Sequence, residues 1–217
     1  MARSRARSRR RACRAYPVTV DSEVAGILLA AGDGTRLGRP KALVELAGVR
    51  LVDRGVTLLR NGGTAPVVVV TGAVPVELLG VITVHNPAWR SGMGSSLAAG
   101  LRALPAGCRA AVVALADQPL VGPGAVQRLV GAYLEGAAVA VAAYHGSPRN
   151  PVLLAREHWP EVIRLAEGDV GARPFLRAHP ELVRVVECAD TGRPDDIDTP
   201  GDLAEAERLL AAAPPAG

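Results

Sequence analysis

Apolar and polar positions along the chain alternate between two rhythms. Short, nearly continuous apolar runs bounded by glycine, proline or asparagine predict buried strands. They are "VAGILLA" (24–30), "APVVVVTG" (65–72), "VITVHN" (81–86), "RAAVVALAD" (109–117), "AVAVAAYHG" (138–146), "NPVLLAR" (150–156) and "LVRVVEC" (182–188). Between them, apolar residues recur three and four apart and predict helices at 51–63, 95–104, 124–136, 159–167, 171–178 and 200–213. In the first of these, Leu51, Val52, Val56, Leu58 and Leu59 share a broad face, and two glycines close the segment. Strands alternating with helices predict an α/β three-layer, Rossmann-like domain with a mostly parallel sheet. Ligands of such sheets bind beyond the carboxyl ends of the strands. Three segments follow predicted strands directly, 30–41, 86–96 and 117–119, and are expected to converge on one crevice.

Composition sharpens this picture. The 217 residues suffice for one sizeable domain, expected over residues 23–213. Apolar residues make up 49% of the chain but aromatics only 3%, so the core is Val, Leu, Ala and Ile, which suits a sheet covered on both faces. The formal charge of +4 misleads. Residues 1–14, "MARSRARSRRRACR", hold seven arginines and no acid, which exceeds the whole excess and leaves the rest of the chain at −3. Nucleic-acid binding would rest on that leader alone and is not expected of the body. Residues 1–22 read as a disordered leader; their arginine and serine also fit a transit peptide, or a translation start assigned too early. No run approaches the roughly 18 apolar residues of a membrane helix. Cys13, Cys108 and Cys188 are odd in number and far apart, forming neither a disulfide framework nor a zinc motif. A reducing cytoplasm is the simplest setting.

Candidate chemistry concentrates in "LAAGDGTRLGRPK", Leu29 to Lys41. A glycine-rich loop after a buried strand brings backbone N–H groups close to phosphates. Gly32 and Gly34 permit positive φ and close approach, and Arg36 and Lys41 supply cations. The spacing is not a dinucleotide fingerprint, since Leu37 takes the third glycine slot, nor a P-loop. Lys41 is the single lysine of a chain with 24 arginines. A site that departs from so strong a bias points to a need for a compact ammonium rather than a planar guanidinium. Asp117 ends a strand, where a carboxylate either binds a metal or caps the next helix. Thr199-Pro200-Gly201-Asp202 is a helix start with a cap and its partner three residues on, which leaves Asp198 free. Ser95 and Ser96 are placed to cap a helix.

The stretch "LLAAGDGTRLGRPKALVELAG" resembles the signature of the MobA-like nucleotidyltransferases, L-A-[AG]-G-x-[GS]-x-R-[ML]-G-x-x-K. The resemblance continues through "NPAWRSGMGSSLAAGL", "VVALADQPLV", "GDVGARPFL" and "DIDTPGDL", in order, and covers about Val24 to Leu210. It is nearest to the branch that attaches a nucleotide to molybdopterin, especially the molybdenum cofactor cytidylyltransferases. The resemblance implies a Rossmann-like fold and transfer of a nucleotidyl group from a nucleoside triphosphate to a phosphomonoester, with release of pyrophosphate.

It also implies roles for residues. Leu29, Ala30, Ala31, Gly32 and Gly34 hold the nucleotide. Arg36 and Lys41 neutralise charge around the α-phosphate and the leaving pyrophosphate. Asp117 binds Mg²⁺, with Asp198 as second ligand. Ser96 contacts the base, Gly72 faces it, and Gly92 and Gly94 let the chain approach it. Guanylyl-transferring relatives often read L-A-G-G, so Ala31 leans toward CTP over GTP. The acceptor side departs from the family pattern: Arg149 stands where relatives carry glycine, before Asn150-Pro151. Asp169 and Arg173 are further acceptor candidates, with Asp169 equally readable as a helix cap. A molybdopterin-type phosphate acceptor, and a molybdoenzyme or chaperone as protein partner, follow from the same resemblance. Other acceptors (a sugar phosphate, a polyol phosphate, phospholactate) and a non-catalytic regulator of molybdoenzyme assembly stay open.

Overall fold

The structure is a computed structural model that describes residues 23–212. The leader expected over residues 1–22, with Cys13, lies outside the described residues. The chain runs β1 (Val24–Ala30), β2 (Glu45–Leu46), β3 (Val49–Arg50), α1 (Leu51–Asn61), β4 (Val67–Thr71), β5 (Ile82–His85), α2 (Met93–Ala103) and β6 (Ala110–Leu115). It continues with α3 (Pro123–Leu134), β7 (Val139–Tyr144), β8 (Ser147–Ala155), α4 (Trp159–Leu165), α5 (Arg173–Ala178), β9 (Val183–Glu187) and α6 (Pro200–Ala212).

All seven residues of β1 are buried, because the strand has a helical layer on each face. Val24, Leu28 and Ala30 meet Val52, Val56 and Leu59 of α1 and the apolar stripe of α3. Ala25, Ile27 and Leu29 meet Leu97 and Leu101 of α2, Val162 of α4 and Phe175 of α5. Each such Val, Leu or Ile taken fully out of water stabilises the fold by about 1.5–3 kcal/mol. The seven-stranded sheet has the order β5-β4-β1-β6-β8-β7-β9. Only β8 runs antiparallel to its neighbours; the other pairings are parallel. The three-layer α/β expectation therefore holds, and all seven expected strands and six expected helices form.

Three details differ. A small hairpin, β2–β3, turns at Ala47 and Gly48, both at positive φ. Strands of two residues are too short for an alternation to register in the sequence. Helix α1 stops at Asn61, with Gly62 as its cap, rather than running through residue 63. Helix α2 begins at Met93, two residues before the expected start, so Ser95 and Ser96 lie in its first turn and do not cap it. No helix among the described residues is long and apolar enough to cross a membrane.

The parallel strands β5, β4, β1 and β6 point one way, so the chain leaves them along one edge of the sheet. The loops after β1, β5 and β6 carry the three segments expected to converge, and they do border one cavity.

Candidate active site

The charged groups of the site come from three corners of that edge. After β1 the chain turns through residues 31–34 into a 3-10 turn, Thr35–Leu37. Gly34 sits at φ 61°, and a Cβ on it would strike the carbonyl oxygen of Arg39. This turn therefore closes only with glycine, and it carries Arg36 to the cavity. A second 3-10 turn, Lys41–Leu43, starts with Lys41 and is anchored by buried Ala42 and Val44. Asp117 follows the end of β6, and its carbonyl oxygen accepts the N–H of Ile197 at 2.8 Å. Ile197 is buried against Val44, Leu46, Leu51 and Ala206, which pins the segment bearing Asp198 beside Asp117. The start of α6 then fixes Asp198. The N–H groups of Asp198 and Thr199 donate to Asp202 Oδ2 at 3.0 and 2.7 Å, and the Asp202 N–H donates to Thr199 Oγ1 at 3.2 Å. This is the reciprocal cap that the sequence predicts.

The side chains meet around one ammonium. Lys41 Nζ is 2.6 Å from Asp117 Oδ2 and 2.5 Å from Asp198 Oδ1. Arg36 Nη2 is 3.3 Å from Asp198 Oδ2, and the Arg36 side chain is 71% exposed, open to an incoming ligand. Burial alone would lower the pKa of Lys41. The charge and hydrogen bond of Asp117, followed by those of Asp198, outweigh it and hold the ammonium above the ordinary lysine value. Asp196 keeps exposed surface but turns its carboxylate inward, accepting a 2.8 Å hydrogen bond from Gln118 Nε2. Desolvation, opposed by that bond and then aided by Asp117 and Asp198, raises its pKa. Asp196, in a run of acids that a sequence reading would leave to solvent, is thus tied into the site.

A cavity of about 550 Å³ opens over this cluster. Leu29, Ala30, Ala31, Gly32, Gly34 and Ser96 line it together with Arg36, Lys41, Asp117 and Asp198. Of the two loop glycines, only Gly34 takes positive φ; Gly32 has no atom within 4 Å of where its Cβ would be, which leaves its backbone accessible.

Gly72 is the exception among the nucleotide candidates. It is not in the cavity wall, because Trp89 covers it: a Cβ on Gly72 would lie 2.6 Å from Trp89 Cβ. Its small size seats Trp89, and Trp89 lines the cavity instead. Gly92 and Gly94 likewise serve packing. A Cβ on either would collide with the backbone of residues 166–169, so both admit that segment, and Gly92 also borders the cavity.

Several contributors carried little local signal. Asn86, buried after β5, donates through Nδ2 to Ser95 Oγ at 2.8 Å and Ser96 Oγ at 3.0 Å, while its Oδ1 accepts the Ala88 N–H. It thereby orients the hydroxyl of Ser96. A polar residue closing an edge strand just before a proline was the available clue. Asp169 does cap a helix, but a distant one: its Oδ1 accepts the Met93 N–H of α2 at 3.2 Å, and it borders the cavity. Arg90 lies over the Trp89 ring, 4.3 Å from its centroid, also at the cavity. Arg173 is exposed and outside the wall. Arg149 lines a second cavity of about 660 Å³ with Tyr144, His145 and Arg193. The turn there, His145-Gly146, is held by Glu187, whose carboxylate accepts both backbone N–H groups.

Two cations, two carboxylates and an open glycine loop suit a polyanion delivered with a divalent ion. Both carboxylates touch the same ammonium, so they are close enough to share a small cation. Among the described residues there is no cluster of three or more His, Cys, Asp or Glu side chains for a metal. A two-carboxylate set fits Mg²⁺, which keeps waters and takes substrate phosphates as its remaining ligands.

Comparison with known proteins agrees with this chemistry. The MobA-like NTP transferase domain matches residues 26–183. Nicotine blue oxidoreductase of Paenarthrobacter nicotinovorans is 38% identical over 192 residues, 81% of this chain and 92% of that one. Molybdenum cofactor guanylyltransferase of Rhodobacter capsulatus is 33% identical over 200 residues, 86% and 96% of the two chains. Among solved structures, the homolog of Mycobacterium tuberculosis Rv0371c from Mycobacterium sp. strain JC1 has a TM-score of 0.74 at 29% identity, covering 86% of this chain and 98% of that one. The chain belongs to the MobA-like NTP transferase family and is a nucleotidyltransferase by fold and by sequence.

Proposed function

We propose that the chain transfers CMP from CTP to the phosphate of a molybdopterin-type acceptor and releases pyrophosphate. The observation that carries this reading is the cluster of Lys41, Arg36, Asp117 and Asp198 facing the glycine loop. An oxygen of the acceptor phosphate forms a bond to the α-phosphorus in line with the bond that breaks, and the β- and γ-phosphates leave together. Every reacting group is an anion, so positioning and charge neutralisation carry the rate. In this reading the loop from Leu29 to Gly34 cradles the triphosphate, and Arg36 and Lys41 take the charge that builds on the α-phosphate and the leaving group. Asp117 and Asp198 would hold a divalent metal, which when bound supplies further charge between phosphate oxygens. Ser96, oriented by Asn86, presents its hydroxyl to the base edge. Gly72 keeps a base-side role only through Trp89, which it seats.

The preference for CTP is supported by the Ala31 methyl in the wall and by Trp89, which closes the space in front of Gly72. The relative from Rhodobacter capsulatus, a guanylyltransferase by name, supports the molybdenum cofactor as acceptor class and keeps GTP as the competing nucleotide. The second cavity, with Arg149, offers room for the far end of the acceptor.

Purified protein with [α-³²P]CTP or GTP, Mg²⁺ and a molybdopterin-type acceptor tests this directly. A labelled CMP–acceptor conjugate with stoichiometric pyrophosphate is expected. Binding of CTP without pyrophosphate for any acceptor would favour a non-catalytic regulator, and a product with sugar phosphates alone would change the acceptor. A second reading is favoured by one relative's name, nicotine blue oxidoreductase. It predicts an oxidation or reduction of nicotine blue with no triphosphate present, for which a dinucleotide is one usual redox partner. The loop spacing, with Leu37 in the third glycine slot, argues against it.

A further inference from the structure

We infer that Lys41 is the resident cation of the site: it holds Asp117 and Asp198 together until a metal–nucleotide complex arrives, so the divalent ion enters with the triphosphate and not ahead of it. The inference rests on the nucleotidyl-transfer reading above.

The argument starts from charge and distance. Lys41 Nζ contacts one carboxylate oxygen of each aspartate, at 2.6 and 2.5 Å, and Arg36 contacts the remaining oxygen of Asp198 at 3.3 Å. The two cations and the two carboxylates they touch sum to zero, and Asp196, the next carboxylate, is engaged by Gln118 Nε2 at 2.8 Å. A divalent ion arriving alone meets carboxylates that are already neutralised. It would have to sit against an ammonium in a half-buried corner, where side-chain exposure is 20% for Lys41, 22% for Asp117 and 31% for Asp198 and water screens poorly. A triphosphate changes the balance, because its oxygens accept the ammonium that the metal displaces.

The exchange is short. A Cβ on Gly34 would lie 3.0 Å from the Lys41 backbone nitrogen, so the phosphate loop runs beside the root of the lysine. Rotation about side-chain bonds carries Nζ from the aspartates toward the loop without backbone motion. This motion accounts for the single lysine among 24 arginines. A compact ammonium on a flexible stem can serve two carboxylates and then a phosphate, whereas a planar guanidinium has a fixed fork of donors. Linkage makes the coupling reciprocal: metal tightens nucleotide by the factor by which nucleotide tightens metal.

Electron paramagnetic resonance of Mn²⁺ with the full chain tests this, with and without α,β-methylene-CTP. For the wild type we expect weak binding of Mn²⁺ alone, tightened about tenfold or more by the analogue. Lys41→Met should bind Mn²⁺ alone about tenfold or more tighter than the wild type, and adding Asp117→Asn should abolish the gain. Lys41→Gln serves the same comparison if thermal melts show Lys41→Met to be unfolded. Equal affinity of the wild type for Mn²⁺ with and without bound analogue would overturn the inference. So would neutral variants that bind free Mn²⁺ no better than the wild type. If neither this analogue nor its GTP counterpart binds, the nucleotidyl reading falls, while the free-metal comparison still judges Lys41.

Discussion

Lys41 and Asp117 act on the same few ångströms, and their loss should be felt as chemistry. Lys41→Ala and Asp117→Ala are each expected to lower turnover by about 10²–10³-fold, the usual cost of removing one preorganised charge partner. Circular dichroism should show the fold retained, since neither side chain belongs to the buried core. Asp198→Ala should mainly raise the Mg²⁺ concentration needed for half-maximal rate, because Asp117 still faces the site. The lone lysine also permits a direct measurement of its charge. With ¹³C,¹⁵N-lysine the chain gives one side-chain NMR signal, and its titration midpoint should lie above 10.5, the ordinary lysine value. A raised pKa means that the ammonium's stabilising contribution is present in full below the ordinary value and is lost as pH rises through the raised one. Asp117→Asn should bring the midpoint down. A midpoint at or below 10.5 in the wild type would show that burial, not the aspartates, dominates.

At the level of elements, what could be read locally was read correctly, and the exceptions have tertiary causes. The reciprocal cap at Thr199 and Asp202 lies within four residues of chain, so it was visible; Thr199→Ala should cost about 1 kcal/mol in urea unfolding. The cap of α2 comes from Asp169, 76 residues away, and no local signal marks Met93 as the helix start. Gly92 was legible as a position of close approach, but only the fold brings residues 168–169 against it beside the cavity. Gly92→Ala therefore makes a separable prediction. It should loosen the 166–169 segment and the Asp169 cap and increase amide hydrogen exchange at Met93, while leaving the Lys41–Asp117 contact on the opposite loops intact. Gly72 presents a related ambiguity. A glycine at a strand end looks the same whether it admits a ligand or an indole ring, and only packing decides.

For the whole molecule, the alternating pattern was enough to gather Arg36, Lys41 and Asp117 at one sheet edge, because parallel strands deliver their following loops to the same side. The second cavity was not legible, since it needs the antiparallel β8 and the late segment 189–195 side by side. Charge is also distributed at this scale. The seven arginines of residues 1–14 turn a body of −3 into a chain of +4. Within the body, the cationic site is already compensated: Lys41 and Arg36 face Asp117 and Asp198. In the neighbouring cavity Arg193 is paired with Asp195 at 2.8 Å, while Arg90 lies over the Trp89 ring and Arg149 donates to the Pro148 carbonyl. A long polyanion therefore has little to gain from the folded domain, whereas a triphosphate with its metal can exchange partners inside the pocket. The full chain should bind heparin or RNA at low salt and release it steeply as salt rises, with a slope set by the leader's arginines. Deleting residues 1–14 should remove that retention and leave CTP affinity and turnover unchanged. Retention that survives the deletion would reveal a basic surface on the body, and a matching loss of CTP affinity would tie the leader to the active site.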